Sequence, residues 1–257
     1  MGEKLSRGSV ELSVIGVAIL LVASVLLASA VLAQPAPPTS FAEGPIQRRT
    51  NFPTNQSALA YAGNVTQLTI TQQQLTEGWQ AYYGSVSGTI VLDDALNNSV
   101  YTWSLAGTGE VYATTNATTP TWASVTCFNF SRVPTEEAYH NIPSNAADNI
   151  TETFNQFNNH PAFSVGGVSF SANQCNLSVQ TYVNDTAPDG ATYPRVFNET
   201  LLYANATTNN FSIYMSILND NQYGFNASLW DFQMLVPEDG WNSTTASTTY
   251  YFYTELE

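Results

Sequence analysis

Two cysteines, two histidines and a scatter of carboxylates are the side chains that could do covalent or metal chemistry in this sequence. Cys127 and Cys175 are its only cysteines. In an extracellular setting an even pair reads as one disulfide, and a loop of about 48 residues gains about 4 kcal/mol in the chain-entropy account. His140 and His160 fall between them, so a Cys2His2 zinc site is the alternative use of the same residues. Neither pair has the close spacing of zinc motifs, and the expectation is no bound metal.

The paired carboxylates are Asp93-Asp94 and Glu136-Glu137. Neighbouring strand residues point to opposite faces, so Asp93 and Asp94 are expected to end a strand in solvent rather than to cooperate. Gly84-Ser85-Val86-Ser87-Gly88 has the outline of a nucleophile elbow, but Val86 occupies its centre and no helix follows. Asn184 to Gly190 and Asn219-Asp220-Asn221 are oxygen-rich enough for calcium, without EF-hand spacing; turn chemistry explains both. No catalytic residue, cofactor or reaction is implied, and the expectation is a protein that is not an enzyme.

The dense motif is a different one. Asn-x-Ser/Thr acceptors without proline occur at Asn55, Asn64, Asn97, Asn116, Asn129, Asn149, Asn176, Asn184, Asn198, Asn205, Asn210, Asn226 and Asn242. With Ser plus Thr at this abundance chance would give roughly 5, whereas 13 of the 24 asparagines qualify. All lie beyond an apolar segment, which predicts N-linked glycans on an exported domain.

Composition agrees with export and excludes one partner class. The 257 residues hold 6 Lys plus Arg against 20 Asp plus Glu, a net charge of -14, with charged residues only 10 %. Such a chain lacks the cations to neutralise phosphates, so nucleic-acid binding is excluded. Hydrophobic residues at 44 % and aromatics at 12 % are enough to bury a core. Lys4 is the only lysine.

The elements that must carry these groups begin with an uncharged run from Leu12 to Ala33. As a helix it would be about 33 Å long, enough for a hydrocarbon core of about 30 Å. It predicts a membrane partner, with three fates open: an uncleaved anchor, a signal peptide cut before Gln34, or a leader-processed helix. The last comes from resemblance. Lys4-Leu5-Ser6-Arg7-Gly8 followed by SVELSVIGVAILLVASVLL resembles the class III signal of archaeal type IV pilins and archaellins. The likeness covers about thirty residues and implies cleavage between Gly8 and Ser9, with helices of many copies packing as a filament core. Glu11 would be the third mature residue, where pilins often carry a glutamate at the fifth.

The organisation expected is a basic leader over 1–8, a hydrophobic membrane or filament-core helix over 9–33, a Pro-rich spacer over 34–50 and a β-rich domain over 51–257. The spacer holds Pro35, Pro37, Pro38 and Pro45 and should be extended and semi-rigid. Strands are predicted at 65–70, 80–92, 99–105, 110–114, 122–128, 162–170, 177–183, 195–203, 211–218, 230–236 and 248–256, several alternating with period two. That series predicts a mainly β, sandwich-like fold. Between its halves, a helix start at Thr135 and a second helix over 144–157, capped by Ser144 or Asn145, mark a short helical insertion and a possible internal boundary near 134–160. GWQAYYGSVSGTIVLDD, TWSLAGTGEVYAT and the ending WDFQMLVPEDGW to TELE resemble uncharacterised secreted proteins of archaea. Together these features predict a cell-surface structural or adhesive protein, self-associating through its helix; the alternative is an anchored or secreted glycoprotein with a carbohydrate- or cell-binding β-domain. Trp79, Trp103, Trp122, Trp230 and Trp241 could line a sugar-binding face, although core packing accounts for tryptophans in such a fold.

Overall fold

The computed structural model describes residues 34–48, 57–71, 75–105, 107–155, 159–181, 196–206, 209–238 and 247–256. The leader with Gly8 and Ser9, the apolar run, the turn at 184–190, Trp241 and the acceptors Asn55, Asn184 and Asn242 lie outside the described residues. No helix among the described residues is long and apolar enough to cross a membrane.

The chain is mainly β. Strands β1 (Trp79–Gly84), β2 (Thr89–Asp93), β3 (Ser99–Ser104), β4 (Gly109–Thr114) and β5 (Val125–Cys127) precede a helical segment with α1 (Val133–Tyr139) and α2 (Ile150–Thr153). Strands β6 (Phe163–Val165), β7 (Val168–Phe170), β8 (Ser178–Gln180), β9 (Asn198–Ala206) and β10 (Asn209–Ile217) follow. The chain closes with β11 (Gln222–Tyr223), β12 (Leu229–Trp230), β13 (Phe232–Pro237) and β14 (Tyr251–Leu256).

One antiparallel sheet organises these elements, in the order β14-β4-β10-β9-β5, with β8 also paired to β9. β4, from before the helical segment, lies between two strands from after it, so one sheet takes strands from both sides of that segment. Strand alternation sends Val111, Ala113, Leu201 and Tyr214 to one face. There they pack with Met234 and Val236 of the β1–β13 ribbon and with Phe128, Ile150 and Phe154. It sends Tyr112, Leu202, Ile213 and Met215 to the other, under Trp122 and the β6–β7 hairpin residues Phe163, Val165 and Phe170. Both faces of the sheet are therefore buried.

Several expected boundaries move for local reasons. The predicted strand 80–92 breaks at 85–88, where the Val86 N–H donates to the Asp231 carboxylate at 2.7 Å and not to a neighbouring strand. The predicted strand 162–170 is a tight hairpin turning at Gly166, whose φ of +55° and packing against the Trp122 Cβ leave no room for a side chain. The helix expected over 144–157 is the single turn α2. Asn149, not Ser144 or Asn145, caps it by accepting the Glu152 N–H at 2.8 Å. Residues 65–70 form no strand.

The Pro-rich stretch is tied to the sheet at its start. Pro35 is buried beside Trp122 and Gly166. Ala36 exchanges both main-chain hydrogen bonds with Thr254 at 2.9 Å, and Phe41 packs its ring 5.3 Å from Phe252. Proline cannot donate, which suits a segment lying outside the last strand, where only alternate residues must pair. The stretch begins as a strap on β14.

Candidate functional site

A group of buried and half-buried ionisable side chains gathers where α1 meets β10. Helical spacing of four places Glu136 and His140 on one side of α1, and period-two alternation places Ser212 and Tyr214 on one face of β10. Glu136 accepts hydrogen bonds from the Ser212 hydroxyl at 2.5 Å and the Tyr214 hydroxyl at 2.8 Å. His140 Nε2 stands 3.4 Å from Oε1, the oxygen that also accepts the Tyr214 hydroxyl. The Tyr250 ring stacks over His140 with centroids 6.5 Å apart.

Burial alone would raise the Glu136 carboxyl, but His140 and the two hydroxyls outweigh it and hold the group below the usual carboxylate range. Burial, then the charge of Glu136, pushes the Tyr214 hydroxyl well above its ordinary value. The same two influences raise Tyr250. A carboxylate on α1 that accepts two hydroxyls of β10 is a clamp between helix and sheet. His140, itself buried, has no hydroxyl or thiol nucleophile hydrogen-bonded to its ring among the described residues, so the group lacks the nucleophile–base pair of acyl-transfer sites.

A second buried carboxyl pair is invisible to adjacency in sequence. Glu110 and Glu255 stand directly opposite across β4 and β14 and are both buried. Glu255 Oε2 accepts the Tyr112 hydroxyl at 3.0 Å and the Gly166 N–H at 2.9 Å. Glu199 is fully buried; desolvation holds its carboxyl well above the usual range, partly offset by the Leu235 N–H. Asp231 accepts the N–H groups of Val86 and Asn221 at 2.7 and 2.9 Å. These carboxyls organise backbone.

The residues singled out in the sequence separate cleanly. Cys127 and Cys175 form a disulfide with Cα atoms 5.1 Å apart, which leaves no thiolate for zinc. His160 accepts the Cys175 N–H on Nε2 at 2.8 Å and lies 2.7 Å from the Pro161 carbonyl on Nδ1, so it is a satisfied buried histidine and the Cys2His2 alternative falls. Among the described residues no group of three or more His, Cys, Asp or Glu is arranged to hold a metal ion. Asp94 is exposed and braces its turn through Asn98 and Leu96, whose hydrogen bonds lower its pKa. Glu137 points away from Glu136 and accepts the Ile150 N–H at 3.2 Å. Asn221 adopts φ +52° in the Asn219–Asn221 turn.

Trp79 donates to the Asp148 carbonyl at 2.6 Å and packs on Phe154, and Trp122 is buried between Tyr112 and Tyr253. Trp103 is exposed and Trp230 half-buried.

The acceptor asparagines also divide. Asn64, Asn97, Asn129, Asn176, Asn205, Asn210 and Asn226 are exposed, and Asn116 and Asn198 are half-buried. Asn205 and Asn210 face one another across β9 and β10. Asn149 differs: it is buried, and its Nδ2, the atom a glycan would need, donates to the Ser144 carbonyl at 2.8 Å.

No protein-family model, curated protein or solved structure matches this chain.

Proposed function

We propose that the protein is a cell-surface structural or adhesive subunit, exported, N-glycosylated, built as a sandwich-like β-domain and assembled into pilin-like filaments through its N-terminal apolar helix. The observation that carries this reading is the main-chain pairing of Ala36 with Thr254. The apolar run ends at Ala33, and three residues of extended chain span at most about 10 Å. A helix ending there meets the domain with no slack, which suits a subunit whose orientation its helix must fix. The disulfide fits an oxidising exterior, and the exposed acceptor asparagines leave room for glycans outside the core.

The alternative, an anchored or secreted module that binds carbohydrate, draws on the aromatic cluster of exposed Tyr83 and Phe225 with half-buried Trp230. The two readings part at the N-terminus. Protein taken from its native cell surface should begin at Ser9 and weigh more than its polypeptide, and a charged replacement, Gly8→Glu, should abolish processing and filaments together. A start at Met1 or Gln34, or a Gly8→Glu chain that is processed and assembles normally, would sink the filament reading.

A further inference from the structure

The β11–β12 turn brings an acceptor asparagine and an aromatic face together. The Tyr83 ring of β1 lies 4.7 Å from Phe225 and 4.9 Å from Trp230. Phe225 and Tyr83 remain 42 % and 37 % exposed, and Tyr223 and Leu229, paired across β11–β12, carry the apolar surface outward. The Trp230 Nε1–H donates to the Phe225 carbonyl at 2.9 Å, so the polar edge of the indole is satisfied within the turn. Residues 221–230 include no charged side chain, so the turn itself offers nothing for an ionic partner.

Asn226 follows Phe225 at the tip of this turn. Its φ of +58° and ψ of +29° are left-handed, a conformation asparagine tolerates better than most residues. The side chain is exposed, and no hydrogen bond to its amide forms among the described residues. Asn226-Ala227-Ser228 completes an acceptor sequence.

We propose that Asn226 carries an N-linked glycan whose first sugars lie on the Tyr83–Phe225–Trp230 cluster, so that the chain's own carbohydrate occupies this face. The inference rests on the reading of the protein as an exported glycoprotein. In the transfer, Asn226 Nδ2 bonds to the anomeric carbon of a phosphate-activated oligosaccharide. The carbon–oxygen bond to phosphate breaks, the phosphate leaves with the electron pair, and Nδ2 gives up one proton. A pyranose ring has a face of C–H groups that packs on an aromatic ring while its hydroxyls stay in water. Half-exposed rings with a satisfied polar edge fit that ligand. Attachment one residue from Phe225 makes the contact intramolecular, with an effective concentration of order millimolar, so a weak stacking contact is populated where a free sugar's would not be.

The test is glycopeptide mass spectrometry of the native full chain, followed by proton NMR of its glycan and melting of Ser228→Ala, which removes the acceptor sequence and keeps Asn226. Expected are an occupied Asn226, upfield ring-current shifts of the first sugar's protons that vanish in Tyr83→Ala, and a Tm about 2–4 °C lower for Ser228→Ala. The same substitution in full chain from a host without N-glycosylation should leave Tm unchanged. A bare Asn226 beside other occupied acceptors overturns this inference and leaves the surface-glycoprotein reading intact. An occupied Asn226 with unshifted sugar protons, or equal Tm losses in both hosts, also overturns it. A chain with no glycan at all overturns both.

Discussion

Strands β10 and β3 read almost alike in sequence and end in opposite environments. Phe211-Ser212-Ile213-Tyr214-Met215-Ser216 and Ser99-Val100-Tyr101-Thr102-Trp103-Ser104 both mix bulky β-branched and aromatic residues with small hydroxyl residues. Every residue from Phe211 to Ser216 is buried, whereas all six of β3 are exposed. β10 is hydrogen-bonded on both sides, to β4 and β9, and each of its faces has a layer over it. β3 pairs only with β2 among the described residues. Register then collects Ile90, Leu92, Tyr101 and Trp103 on one face, at 46–58 % exposure. Such a run specifies a strand; what lies above and below it is decided by pairing partners a hundred residues away.

That contrast can be broken first at the sheet centre. Ile213→Ala removes a fully buried side chain from β10 and should cost about 3 kcal/mol, lowering Tm by about 6–12 °C. A loss below about 1 kcal/mol would mean that the face under Trp122 is not close-packed.

A smaller effect, visible only through pH, is expected at Glu199. Below its ordinary pKa of 4.5 the carboxyl is protonated in both folded and unfolded chains and contributes no pH dependence. Above it the unfolded chain ionises while the buried group does not, so this residue's contribution to stability falls as pH rises. Glu199→Gln should therefore melt like the parent near pH 4 and gain on it steadily toward pH 7. A constant gap across that range would show that Glu199 ionises normally. Glu136 works in the opposite sense: its lowered pKa gives stability above pH 4.5 that is lost in acid.

The smallest change should come from the hairpin. Trp103→Ser, although it deletes the largest side chain of β3, should move stability by less than about 0.5 kcal/mol. A loss matching that of Ile213→Ala would mean that the hairpin face is covered in solution.

How much of this was legible varies by the distance over which the information is written. β3, β4 and β10 follow from local runs of β-branched and aromatic residues, and the disulfide from cysteine count. Ile150 and Phe154 were visible at helical spacing and are both fully buried. The helix nevertheless spans only α2, because Asn149 opens it and Phe154, at φ -87° and ψ +53°, leaves helical geometry. The Glu136 clamp joins residues 76 and 78 positions apart, and the Glu110–Glu255 pair arises from β4–β14 register. Neither leaves a motif. Asn149 is the reverse case, a complete acceptor motif whose amide is already spent on Ser144.

The strap on β14 has one more consequence. A sheet's last strand presents unpaired N–H and C=O groups that can template edge-to-edge aggregation between chains. Here the bonds of Ala36 to Thr254 occupy the middle of that row, and the opposite margin is made of the three-residue strands β5 and β8, β5 ending in the disulfide. Two copies brought side by side would thus meet with their sheet margins already blunted against strand exchange.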